Sequence, residues 1–232
     1  RRVLFRSNIK MVSEPKNSTN GTIDMNTYAM NAKGVKSVVI SDSNFVVIFP
    51  RKDSLIERKN RDIDFDGKMF AGRLDMYGSG FSLNYADWKM NLANIDTMLI
   101  NIPNGQFGAD GWPILVPIHS YVERLTGDLT IDVKANKSGM DRHWTYPSLK
   151  TTDKSYVFYN RPSTQGGAYD KNKFFYELEP FLFDSLLAFK ADEVEFKGKL
   201  VSAGIFPDIV EPIGIQKDLA LGFQTKRTAL PM

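Results

Sequence analysis

IDFDGKMFAGRLDMYG, Ile63 to Gly78, decides the fold class. Ile63, Phe65, Gly67 and Met69 alternate with Asp64, Asp66 and Lys68, a period of two that sends successive side chains to opposite faces of a strand. One face is apolar and the other charged, as in a half-buried strand. The same texture returns in VEFKGKLVSAGIFPDI, Val194 to Ile209, which can be laid on the first stretch with a single insertion. Both read apolar, acidic, Phe, charge, Gly, Lys, apolar, apolar, then Ala-Gly. LTGDLTIDV, Leu125 to Val133, is a fainter third copy that shares the glycine and the alternation. Reuse of a strand-Gly-strand unit points to a sheet extended by repetition, although an ordinary strand with a bulge glycine reads the same way.

Outward from these stretches, β signals cover most of the chain. VKSVVIS and NFVVIF, separated by Asp42, Ser43 and Asn44, predict a hairpin. FSLNYADWKMNL and MLINI continue the alternation, with slips near Asp87 and Ala93 of the kind a turn or bulge makes. LTIDVKAN sets Leu129, Ile131, Val133 and Ala135 against Thr130, Asp132, Lys134 and Asn136, and a one-residue slip would expose the whole apolar set. Residues 8–30 read as a polar loop or frayed edge, and 31–232 as one β-rich segment. Within it, 137–172 is a loop-rich excursion in which only SYVFYN reads as a strand. PFLFDSLLAFK has helical spacing behind Pro180, which predicts one short helix near 181–190. Pro207 and Pro212 lack the donor a ladder needs and belong at turns, bulges or an edge. The expected fold is mainly β, an extended or curled repeat-built sheet, with a parallel β-helix or a β-sandwich as alternatives.

Composition narrows the class. The 232 residues carry 30 Lys+Arg against 27 Asp+Glu, a formal net charge of +3. The opening RRVLFRS holds Arg1, Arg2 and Arg6, and it reads back through the genetic code as AGA CGT GTG CTC TTC CGA TCT, the end of a short-read sequencing adapter. Residues 1–7 are therefore expected to be non-native, and the chain a piece of a longer protein. Without those arginines acids and bases balance, and a nucleic-acid partner is not expected. With 42% hydrophobic residues the chain can bury a sizeable core. The absence of cysteine excludes disulfides, thiolate zinc sites and a cysteine nucleophile. No run approaches the roughly 18 apolar residues of a membrane helix.

Signatures of catalysis are incomplete wherever they start. DIDFDG, Asp62 to Gly67, opens like a calcium loop, but Arg73 stands where the bidentate Glu is needed. His119 and His143 are the only histidines and lack metal-ligand spacing. GSGFS is not a nucleophile elbow, and the glycine pairs lack a phosphate-loop context. No catalytic, cofactor-binding or metal-binding residue is predicted. Trp88, Trp112 and Trp144, with Tyr146, Tyr156 and Tyr159, suit either a sugar-stacking platform or core and cross-strand pairs.

FPRKDSLIERKNRDIDFDGKMFAGRLDMYGSGFSLNY, together with FKGKLVSAGIFPDI downstream, resembles segments of very large envelope proteins of Gram-negative bacteria, similar in texture to AsmA/TamB-like proteins. That resemblance covers most of 36–223 and implies a non-enzymatic structural or lipid-handling part of the cell envelope, in the periplasm or at the outer membrane. Lipid or other envelope proteins would be its partners. In a lipid trough, Phe65, Met69, Leu129, Ile131, Val133, Phe196 and Leu200 would line the concave face, and acyl chains would gain roughly 0.8 kcal/mol per buried CH₂. The same residues would equally build a dry core. The alternative is a surface carbohydrate-binding or adhesin-like protein whose segment from Trp112 to Tyr169 holds a glycan. A glycoside hydrolase fragment, with a carboxylate pair across a cleft, comes third.

Overall fold

A computed structural model describes residues 9–14, 19–161, 164–205 and 207–224; the expected adapter translation, 1–7, lies outside them. The polar stretch after it supplies edge strands, β1 (Lys10–Met11) and β2 (Gly21–Ile23), and then β3 (Met30–Lys33). β4 (Val38–Ser41) and β5 (Val46–Pro50) form the predicted hairpin. β6 (Ser54–Glu57) leads to four long strands, β7 (Ile63–Ala71), β8 (Leu74–Asn84), β9 (Lys89–Phe107) and, after the short β10 (Pro113–Pro117), β11 (Val122–Thr130). β12 (Ser148–Thr151) and β13 (Ser155–Phe158) lie inside the expected excursion. β14 (Phe174–Leu178), β15 (Leu182–Phe183), β16 (Glu195–Phe196), β17 (Gly198–Ser202), β18 (Ile213–Ile215) and β19 (Leu221–Gly222) complete the order.

The fold is mainly β, as expected: sixteen strands share one open sheet, and β16, β18 and β19 form a second. Every strand pairing is antiparallel, which rules out the parallel β-helix. Among the described residues no helix is long and apolar enough to cross a membrane.

The glycines of the three similar stretches mark where a strand exchanges one neighbour for another. Ile63 pairs with β6, whereas Gly67 to Ala71 pair with β5. Glu123 of β11 pairs with β13, whereas Gly127 to Thr130 pair with β12. Phe196 belongs to the small sheet, and Gly198 onward pairs with β14. At such a corner backbones approach closely: a Cβ on Gly67 would lie 2.3 Å from Phe49 O, and one on Gly127 would lie 2.4 Å from Lys150 O. Only glycine fits. Two bulges in β9 fall on the same line, one opposite the Tyr77/Gly78 step of β8 and one opposite the Leu125/Gly127 shift of β11, so the sheet bends there while its apolar face stays inside.

The bend brings the two ends of the sheet together. In an unbent β9 the stretch from Lys89 to Ile100 would span roughly 36 Å, with Lys89 level with Thr130 and Ile100 level with the β7–β8 turn. Nevertheless Asn44, at the tip of the β4–β5 hairpin, donates from Nδ2 to Ile131 O at 3.0 Å. Arg73, in the β7–β8 turn, donates from its backbone N to Leu186 O at 2.9 Å.

This curl encloses a continuous core. Phe65, Met69, Leu129, Ile131, Phe196 and Leu200 are 0–7% exposed within it, and Val133 is half-buried. Apart from Val133, the side chains named for a trough belong to that core, with Phe65 edge-on to Phe81 at 5.3 Å.

The predicted helix near 181–190 is not formed. Leu182–Phe183 is a strand paired with β12, followed by a single turn in which Ala188 N donates to Ser185 O at 2.8 Å. Of Phe181, Asp184, Ser185, Leu186 and Phe189, whose spacing suggests the helix, that strand plus one turn buries Leu186 and Phe189, while Asp184 is exposed. Tertiary partners take the backbone groups a helix would use: Ser185 N donates to Thr145 O, and Leu186 N to Pro147 O. Without free donors the helical ladder cannot propagate.

Candidate functional site

The seam where the sheet ends meet is also where a cleft opens. A buried carboxylate organises it. Asp132, just past β11, has a side chain 1% exposed and no Lys or Arg partner among the described residues. Its Oδ2 accepts from Asn44 Nδ2 at 2.9 Å and Asn136 Nδ2 at 2.8 Å, and its Oδ1 from Val133 N at 2.7 Å. Oδ1 also meets His143 Nδ1 at 2.8 Å, a contact that places the proton on Nδ1 because an ionised carboxylate only accepts. Several donors on one carboxylate offset its removal from water. With His143 turned inward to Asp132, its neighbours Arg142 and Trp144 are turned out to solvent.

Those two side chains form one wall of a cleft of about 460 Å³. Phe45 and the β7–β8 turn, Gly72 and Arg73, form another, and Trp112, Pro113 and Leu115 at the start of β10 a third. Leu187 and Ala188 of the turn after β15 close the base. Trp112 is braced edge-on by Phe45, with ring centroids 5.3 Å apart at 78°, and its backbone N donates to Asp110 Oδ1 at 3.1 Å. Arg142 stacks on Trp144 with its guanidinium carbon 4.4 Å from the ring centroid. Trp112 is 51% exposed and Trp144 60%, so both indoles present surface to solvent.

Charge in the cleft has one sign. Its lining contains Arg73 and Arg142 and no carboxylate. Arg73 donates from a guanidinium nitrogen to Phe189 O at 2.6 Å and lies over the Phe189 ring; burial holds its pKa below the ordinary arginine value. Arg58 and Arg161 have acidic partners in Asp64 and Glu123; among the described residues Arg73 and Arg142 have none. A second cleft that shares Trp144 and Ala188 has the opposite character, with Asp184, Glu193 and Glu195 beside Phe183 and Phe196.

The aromatic candidates divide. Trp112 and Trp144 converge on the cleft, whereas Trp88 is 1% exposed in the core. Tyr156 stacks on Phe158 at 5.8 Å, and Tyr159 packs edge-on to Phe174; burial first, then the nearby Tyr176, raises the Tyr159 pKa. Tyr146 is half-buried. His119 is exposed, its backbone N bound to Leu219 O.

The carboxylates of DIDFDG have separate duties. Asp62 accepts from Tyr85 N at 2.8 Å, Asp64 pairs with Arg58 and accepts from Ser82 Oγ at 2.7 Å, and Asp66 accepts from Gly80 N at 2.8 Å.

Sequence reading did not point to Phe45, Arg73 or Leu187 as binding residues; Arg73 stood out only as a mismatch to a calcium loop. They come from turns far apart in the chain, Arg73 and Phe189 being 116 residues apart, and no spacing rule connects such positions. No protein-family model, curated protein or solved structure matches the chain.

Proposed function

We propose that this β-module is a non-catalytic carbohydrate-binding part of a cell-envelope or surface protein, with its ligand seated between Trp112 and Trp144. Two half-exposed tryptophans converging on one cleft carry this reading. Flat indole faces suit the apolar faces of sugar rings, and the guanidinium groups supply donors for hydroxyls. A glycosidase site needs a carboxylate pair, and the lining of this cleft contains none. The envelope setting rests on the sequence resemblance.

A lipid-handling role is the second reading, favoured by Leu115, Leu187 and Ala188 in the same lining. Sites that bury most of an apolar ligand are enclosed. This cleft is open, and the concave face of the sheet is filled by its own side chains, so a ring stacked on an exposed platform is the better match.

A glycan array probed with the wild-type protein, Trp112→Ala and Trp144→Ala tests the proposal. Binding to one sugar class, weakened roughly tenfold by either substitution, is expected for the loss of about 1.4 kcal/mol of stacking. Binding unchanged by both would overturn it, and co-purified lipid lost from Trp112→Ala or Trp144→Ala, with no glycan bound by the wild-type protein, would favour the second reading.

A further inference from the structure

We infer that the sugar taken by this cleft is acidic, a pyranose bearing a carboxylate such as a uronic acid, held by Arg73 and Arg142. This deepens, and rests on, the carbohydrate-binding reading above.

Charge complementarity carries the inference. A guanidinium withdrawn from water loses hydration that an anionic partner would ordinarily replace. Arg73 is in that position: it is half-buried, it lines an apolar cleft, and among the described residues the one hydrogen bond of its guanidinium is to a neutral carbonyl, Phe189 O. Arg142, over the Trp144 ring at 4.4 Å, is exposed to solvent. No carboxylate among the described residues pairs with either. Among the described residues, two cations and no anion in the lining of one cleft leave a site whose charge an anionic ligand would complete.

The geometry also separates an acidic sugar from an anion alone. Arginine's planar fork matches a carboxylate through two parallel hydrogen bonds, while Trp112 and Trp144 stand beside it to cover a ring. An inorganic anion would use the first feature and waste the second. A neutral sugar would use the second and leave the guanidinium groups unpaired. The acidic cleft that shares Trp144, with Asp184, Glu193 and Glu195, would repel the same carboxylate and so favours the arginine-lined cleft over its neighbour.

The test is isothermal titration of the whole chain with three probes: trigalacturonic acid, its methyl ester and galactotriose. The acid is expected to bind about tenfold more tightly than either neutral probe at low salt, the gain of one charge-assisted pair, and to lose that advantage as sodium chloride is raised. In Arg142→Gln the acid-to-neutral ratio should fall toward one. Arg73→Gln should do the same, and its thermal melting is followed in parallel because Arg73 also ties the seam to Phe189. Equal binding of acid and neutral probes by the wild-type protein would overturn acid selectivity and leave the carbohydrate reading standing. No binding of any of the three, with a glycan array equally silent, would overturn both.

Discussion

Asn44 and Asp132, 88 residues apart, are joined by a buried hydrogen bond of 2.9 Å that fastens the tip of one hairpin to the far end of the sheet. The same carboxamide reaches Ile131 O at 3.0 Å, so a single side chain closes the seam twice. Asn44→Ala removes a donor from a carboxylate that has no Lys or Arg partner among the described residues, and the expected loss is about 1–3 kcal/mol of stability. Asp132→Ala should cost at least as much, because it leaves Asn44, Asn136 and Val133 N without their acceptor. Urea unfolding of the two single variants and the double variant gives the coupling directly; strict additivity would show that the pair does not hold the seam.

Bending at the glycine line makes a sharper claim about single positions. Gly67→Ala places a methyl 2.3 Å from Phe49 O on a backbone with φ of +140°, and both terms are unfavourable. A loss of about 3 kcal/mol or more is expected. Gly105→Ala is the comparison: it has a φ of +86° and nothing within 4 Å, so only backbone strain of about 1 kcal/mol applies. Equal melting temperatures for the two variants would contradict the close approach at Gly67.

Tyr176 should register in alkaline solution. Its ring is fully buried, its hydroxyl donates to Glu211 O, and its pKa is pushed up to about 12, by burial first and then by the charges of Glu179, Glu211 and Glu195. The unfolded value is about 10. A native pKa above the unfolded one means the folded state holds its proton more tightly, so this contribution is complete below pH 10 and lost as pH rises through 12. Stability measured between those limits should fall more steeply in the wild-type protein than in Tyr176→Phe. Parallel curves would show that the phenol is not held protonated by the fold.

The tryptophans of the cleft should matter little to folding. Trp144 is 60% exposed, and Trp144→Ala is expected to change stability by less than about 1 kcal/mol. The core Trp88→Ala, at 1% exposure, should cost about 3–5 kcal/mol. Chemical denaturation of both variants separates the binding surface from the scaffold, and a large loss in Trp144→Ala would assign that indole to the structure.

Strand identity was legible wherever the period of two was strong. β7 and the hairpin of β4 and β5 fall where alternation places them, and the slip at Ala93 is a real bulge, opposite the register shift between Leu125 and Gly127. Asp87 marks a turn. The expected helix failed because a strand and one turn bury Leu186 and Phe189 of the spaced set Phe181, Asp184, Ser185, Leu186 and Phe189 without a helix, and long-range acceptors such as Thr145 O and Pro147 O were invisible in local pattern. The candidate site was legible only in its tryptophans. Which of the aromatic residues stay exposed depends on how the sheet folds over, as do the positions of Phe45 and Arg73, and neither is a property of neighbouring residues.

The seam has a temporal side. Its contacts join residues 87, 88 and 116 apart, and closing such long loops costs chain entropy before any contact rewards it. Local hairpins such as β7–β8 can assemble first; the walls of the cleft meet only once the distant ends have found each other. Ligand capture is thus a report of completed folding, and a half-assembled chain has no place to hold its guest.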